Sequence, residues 1–191
     1  MWRYAPGWHG WLARVSPGTG AAQVAAGLRV GDFFPSCRLV WLRAKQDAAY
    51  LGMPAAAGSL ALRQVPADYL LVELFNEYCQ LCQKETPVYN QLFKRIQDDL
   101  RLARRMKIIG LGVGSSNRQV AKFRRQRGVL FPLFADHRRE VFDCLGQPEL
   151  PVLYLLKRHG HAGFRLVFQH TGHLSDLARF IDTLVKLVTR P

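Results

Sequence analysis

The seven residues YLLVELF, Tyr69–Phe75, restrict the possible folds of this chain more than any other stretch. All but Glu73 are apolar, so alternation of an inward and an outward face is lost. A run of this length and pattern predicts a strand buried on both faces, as at the centre of a parallel sheet. Parallel neighbours need long crossovers, usually helical, so helices must cover both faces of that sheet.

The flanking sequence supplies those pieces. After Pro87, the residues Val88, Leu92, Ile96, Leu100 and Ala103 recur every three or four positions and predict one long helix, kinked at the proline. KIIGLGVG (107–114) reads as a second buried strand. SSNRQVAKFRRQRG follows it as a capped basic helix that stops at Gly128. LFPLFAD is a short extended piece and RREVFDCLG a short helix. PVLYLLKR and FRLVFQHTG form a hairpin, and residues 175–188 carry one apolar helical face. Before the central strand, GDFFPSCRLVWL (31–42) and SLALRQV (59–65) predict two more strands. The intervening QDAAYLGMPAAAG is read as a loop with at most a helical turn. The expected architecture is α/β, with helices on both faces of a central mixed sheet, an antiparallel hairpin at one edge and an added N-terminal strand pair.

With 191 residues and 49% hydrophobic composition, one core-forming domain is affordable. No window approaches the roughly 18 consecutive apolar residues of a membrane span. The formal net charge of +13 favours acidic partners. Its basic residues are dispersed over predicted helix faces, without a nucleic-acid motif, so no specific nucleic-acid partner is expected. Residues 1–27 are rich in Gly, Ala and Trp and read as a flexible basic tail, with the domain at 28–191. The apolar runs of the tail are too broken for a secretory leader, which needs an unbroken stretch of about 7–15 residues. Cytoplasmic action is the expectation if that absence is real.

Chemistry concentrates in EYCQLC, Glu77–Cys82. Cys79 falls beyond the C-terminal end of the central strand, where open α/β sheets place their sites, and at the first turn of the following helix. The N–H groups and dipole there favour a thiolate. Cys82 lies one turn deeper, within reach of a disulfide. The residues alone leave three readings: a redox pair, half of a zinc site, or two inert thiols. Zinc lacks a second pair, because Cys37 and Cys144 are isolated and His159 with His161 has no finger spacing.

The segment LVELFNEYCQLCQKETP resembles the thioredoxin superfamily, specifically the TlpA/ResA-like and AhpC/TSA-type redoxins. Tyr78, Cys79, Cys82, Lys84, Glu85 and Pro87 match in order an aromatic, C-x-x-C, a basic residue, Glu and Pro. GDFFPSCRLV is similar to the opening of the family, and ELPVLYLL to its cis-proline loop, so the resemblance covers about residues 28–188. It departs at Tyr78, where Trp is usual, and at Gln80–Leu81, which lacks the frequent proline.

The resemblance implies thiol–disulfide exchange with a protein substrate and a redox-partner protein. Cys79 forms a mixed disulfide and Cys82 resolves it. The pair is itself the redox group, with no other cofactor and no metal. Glu73, six residues before Cys79, takes the position of the buried acid of thioredoxins and would handle the proton of Cys82, with Glu85 beside it. Tyr78, Gln80, Leu81, Leu150 and Pro151 would form the docking surface, with Pro151 cis and the Leu150 backbone pairing with substrate. A monomer is expected, and the family pattern implies, for most such proteins, a reductant in an extracytoplasmic compartment. The alternatives are an AhpC/TSA-type peroxide-reducing enzyme and a non-catalytic binding module. The first is disfavoured by Val72 and Asn76 where such enzymes carry Pro and Thr.

Overall fold

The computed structural model describes residues 27–54 and 58–189. The tail expected over 1–27 therefore lies, apart from Gly27, outside the described residues. Tyr69–Phe75 forms strand β3, buried along its whole length, after a small ribbon of β1 (Arg38–Val40) and β2 (Ser59–Ala61). The chain continues through α2 (Gln80–Asp98), α3 (Leu100–Ala103), β4 (Met106–Val113), α4 (Asn117–Arg127), β5 (Leu133–Asp136) and α5 (Glu140–Cys144). It ends with β6 (Val152–Arg158), β7 (Phe164–Thr171) and α6 (Leu177–Thr189). The five main strands lie in the order β5-β4-β3-β6-β7. β3, β4 and β5 are parallel, and β6 and β7 antiparallel. This is the mixed sheet with an antiparallel edge that the sequence pattern predicts.

The faces divide by side-chain parity. Leu70, Val72 and Leu74 point to a core shared with the ribbon and α5. Tyr69, Leu71 and Phe75 point to the other core, with Tyr89, Leu92 and Ile96 of α2, Val120 and Phe123 of α4, and Phe180 and Leu184 of α6. Glu73 belongs to this second face. Its partner in the parallel ladder is Gly110 of β4. A Cβ on Gly110 would stand 2.5 Å from Leu133 Cδ2 and 3.4 Å from Glu73 Oε2, so only glycine leaves room there.

Several elements differ from the sequence reading. The strand expected over 31–42 shortens to three residues. Ahead of it, Gly31 and Phe34 donate backbone bonds to Leu166 and Phe164, and Leu166 donates to Asp32, closing the outer edge of β7. β2 stops at Ala61, and Leu62–Gln64 turns as a short 3-10 segment. The expected loop after β1 contains a helix, α1 (Ala44–Leu51), ended by Gly52 in the left-handed conformation. Its apolar signal is weak because it is anchored by specific contacts. The Tyr50 hydroxyl accepts the Ile108 amide on the stretch of β4 that β5 does not reach. Asp47 forms a buried ion pair with Arg124 of α4 at 2.8 Å. The long helix runs unbroken past Pro87 but ends at Asp98 rather than Ala103. Asp99 adopts extended backbone and caps α3 through the Arg101 amide at 2.9 Å.

The Asp47–Arg124 pair generates a stability prediction. Asp47→Ala would leave a buried guanidinium unpaired and should cost about 3–5 kcal/mol. Replacing both residues with Leu and Met should recover most of that loss. Urea unfolding of the three proteins measures it.

Candidate active site around Cys79 and Cys82

Asn76 fixes the loop between β3 and α2. Its side-chain amide donates to the Val113 carbonyl at 2.8 Å, and its side-chain oxygen accepts the Tyr78 amide at 2.8 Å. Its backbone carbonyl accepts the Cys79 amide at 3.1 Å. Glu77 ties the same loop to the β4–α4 connection, accepting from the Ser115 hydroxyl and, at 2.6 Å, from Gln119 Nε2. Cys79 is thereby held as the N-cap of α2. Its Sγ accepts the Cys82 amide at 3.1 Å, one of the helix N–H groups with no partner inside the helix.

Cys79 and Cys82 lie within disulfide-bonding distance, with Cα atoms 5.3 Å apart. Cys79 is half-buried, whereas Cys82 is wholly buried among Tyr89 and the apolar face of β3. The outer sulfur can meet a partner and the inner one cannot. The Leu150–Pro151 peptide is cis, and the Leu150 carbonyl oxygen stands 3.9 Å from Cys79 Sγ. Tyr78 is 75% exposed beside the pair, Gln80 is exposed, and Leu81 and Leu150 are half-buried. These residues, predicted from separate parts of the sequence, converge on one edge of the sheet.

Both carboxylates are buried beneath that edge. Glu73 is 4% exposed and Glu85 1%. Burial, reinforced by the nearby Glu85 charge, pushes the Glu73 carboxyl up to about 8. Glu85 accepts from the Leu174 amide at 3.0 Å and meets His173 Nδ1 at 2.5 Å. The Tyr89 hydroxyl is buried without a hydrogen-bond partner. Burial, then the Glu73 and Glu85 charges, hold its proton well above the usual phenol range. Tyr89 and His173 were not legible as site residues. Tyr89 reads as one more core aromatic of an amphipathic helix, and nothing in the local pattern at His173 points 88 residues back to Glu85.

Cys37 and Cys144 are free thiols, not partners of each other. They line one cavity of about 390 Å³ with Asp136, His137 and Glu140, apart from the redox pair. Burial, then the Asp136 charge, pushes the Cys37 thiol up to about 12, whereas Cys144 is exposed. Among the described residues, no group of three or more His, Cys, Asp or Glu side chains could hold a metal ion, and no helix is long and apolar enough to cross a membrane.

No protein-family model matches the chain. It is 23% identical over 130 residues to the thiol-disulfide oxidoreductase ResA of Halalkalibacterium halodurans, a stretch covering 68% of each chain. It is 25% identical over 115 residues to ResA of Geobacillus thermodenitrificans, covering 60% of this chain and 62% of that one. A Chlorobium tepidum structure, provisionally named thiol:disulfide interchange protein DsbE, superposes with a TM-score of 0.63 at 16% identity. That superposition covers 85% of this chain and 99% of the other, and shows a shared thioredoxin-like fold.

Two outcomes follow from the buried groups. Folded Glu73 holds its proton to about pH 8, against 4.5 for the free group. Below pH 4.5 both states are protonated and there is no penalty. Between 4.5 and 8 the unfolded chain releases this proton while the folded one retains it, so stability falls as pH rises, by about 1.4 kcal/mol per unit at the steepest. Glu73→Gln removes this loss, so its melting temperature should gain on wild type from pH 5 to pH 8; parallel curves would contradict the assignment. Separately, iodoacetamide at pH 7.5 on the oxidised protein should label Cys144 and spare Cys37, as read by peptide mass spectrometry.

Proposed function

We propose that this TlpA/ResA-like thiol–disulfide oxidoreductase of the thioredoxin superfamily exchanges disulfides with protein substrates through Cys79 and Cys82. The observation that carries the reading is the pair itself, at bonding distance on the N-terminus of α2, with one sulfur reachable and the other buried.

The chemistry follows from that asymmetry. In the reducing direction the Cys79 thiolate attacks a sulfur of the substrate disulfide. That S–S bond breaks, a Cys79–substrate bond forms, and the other substrate sulfur leaves as a thiolate. Cys82 then loses its proton and attacks Cys79 Sγ. The intramolecular bond forms, the second substrate sulfur leaves, and two electrons have passed to the substrate. A dithiol redox-partner protein reverses these steps to regenerate the pair. The helix N-terminus and the Cys82 amide stabilise negative charge on Cys79 throughout.

Glu73 is the proton carrier for the buried Cys82. Protonated at neutral pH while the disulfide is closed, it can supply the proton that the leaving Cys82 sulfur needs when the disulfide is opened. In the resolving direction it takes that proton back. Glu85 shares the buried site and sets its charge. The exposed Tyr78, with Gln80 and Leu81, presents a surface to the substrate. An extended substrate segment would place its backbone against Leu150 and Pro151, next to Cys79. No further cofactor enters this cycle.

A peroxide-reducing role has less support. Asn76 stands where a hydroxyl would orient the peroxide, and its amide is committed to the Val113 carbonyl and the Tyr78 amide.

Cys82→Ser should trap protein adducts that non-reducing gels resolve and dithiothreitol releases, and Cys79→Ser should abolish them. If the Cys82→Ser protein accumulates no adduct at Cys79, the exchange reading is wrong. Peroxide consumption by the reduced wild type should not exceed the free-thiol background.

A further inference from the structure

The buried acids beneath Cys82 are linked to the surface through His173. Glu85 is 1% exposed, yet one of its carboxylate oxygens lies 2.5 Å from Nδ1 of His173, whose side chain is 62% exposed. The other oxygen accepts the Leu174 amide at 3.0 Å, which fixes the carboxylate in place. The position of Glu85, three residues after Cys82 on α2, puts it one helical turn from the inner sulfur. Glu73 lies on the face of β3 that α2 covers, and the Glu85 charge reaches it there.

A proton relay needs such a link. Each time the disulfide opens, the buried Cys82 sulfur gains a proton, and each time it closes, that proton must leave. Glu73 can hold the proton but is itself sealed from water. From the contacts above we infer that His173 is a proton-exchange residue for this site, passing protons between solvent and Glu85 and so recharging Glu73. This deepens the exchange reading and rests on it.

When the disulfide is reduced, the Cys79–Cys82 bond breaks and Cys82 takes the proton of Glu73. Glu73 is reprotonated from the Glu85–His173 pair, and the exposed imidazole recovers its proton from water. Imidazole is the side chain suited to this, because its two ring nitrogens can hold a proton on either side, one facing Glu85 and the other solvent. Two titratable groups touch His173: Glu85 of α2 at its Nδ1, and His170 of β7, whose Nε2 contacts the His173 carbonyl oxygen at 3.2 Å; Tyr89 and Glu73 lie behind Glu85 and feel its charge. Asp176 lies in the same loop but is committed to the Arg179 amide at 2.9 Å.

The test is stopped-flow reduction of the oxidised full chain by dithiothreitol from pH 6 to 9. His173→Ala should slow opening of the disulfide roughly tenfold or more at pH 7 and change the shape of the pH profile. Added imidazole should restore much of the rate, since the vacated position is open to solvent. His173→Gln keeps a hydrogen-bond donor to Glu85 but cannot titrate, so it should be as slow as the alanine variant. Wild-type rate and profile in either variant would overturn the inference, as would a slow alanine variant that imidazole leaves unchanged. The exchange reading fails separately, if the wild type reacts with dithiothreitol but transfers no disulfide to or from a protein.

Discussion

β3 is buried on both faces for its full length, and the rest of the molecule is arranged around that constraint. A strand with no solvent face needs backbone partners on both edges and apolar cover above and below. β4 and β6 provide the partners; the β1–β2 ribbon and α5 cover one face, and α2, α4 and α6 the other. The same constraint gives the site its character. The chain leaves β3 at a fixed edge, so the first turn of α2 must present Cys79 there, while the one polar side chain in the strand, Glu73, is drawn into the core.

Burial costs a carboxylate its charge unless something compensates. The two acids answer that cost differently. Glu73 keeps its proton, in a space that Gly110 leaves beside it. Glu85 has the Leu174 amide and the His173 ring as partners. Two identical functional groups on one side of the sheet are thereby held in different ways, one by its proton and one by two hydrogen-bond partners. The asymmetry of the cysteines runs in parallel: the N-cap position exposes one sulfur to partners and to positive backbone charge, while a helical turn carries the other into the apolar core.

The sequence similarity to ResA proteins is 23–25% identity, and it stands beside a strand order of β5-β4-β3-β6-β7 that carries Cys79 and Cys82 at one edge of the sheet. The loop after β3 is held by its own local contacts. Gln80 and Leu81 form the first helical turn without a proline, because the Cys79 sulfur caps the turn through the Cys82 amide. Asn76 brackets that loop to β4 through the Val113 carbonyl.

Local chemistry made much of this legible in the sequence. The continuous apolar run of β3, the helical periodicity of α2 and α6 and the glycine stop of α4 follow from period and propensity, and the i, i+3 spacing of Cys79 and Cys82 determines that both can sit on one helical turn. The α1 helix and the break at Asp99 were not legible, because the first depends on Asp47 and Tyr50 meeting distant partners and the second on one side chain capping a new turn. Tertiary structure alone decided which distant groups meet the redox pair. Leu150 reaches Cys79 across 71 residues, and His173 reaches Glu85 across 88. Sequence specifies which residues can do chemistry, but side chains brought together by the closing of a sheet leave no periodic mark on the chain.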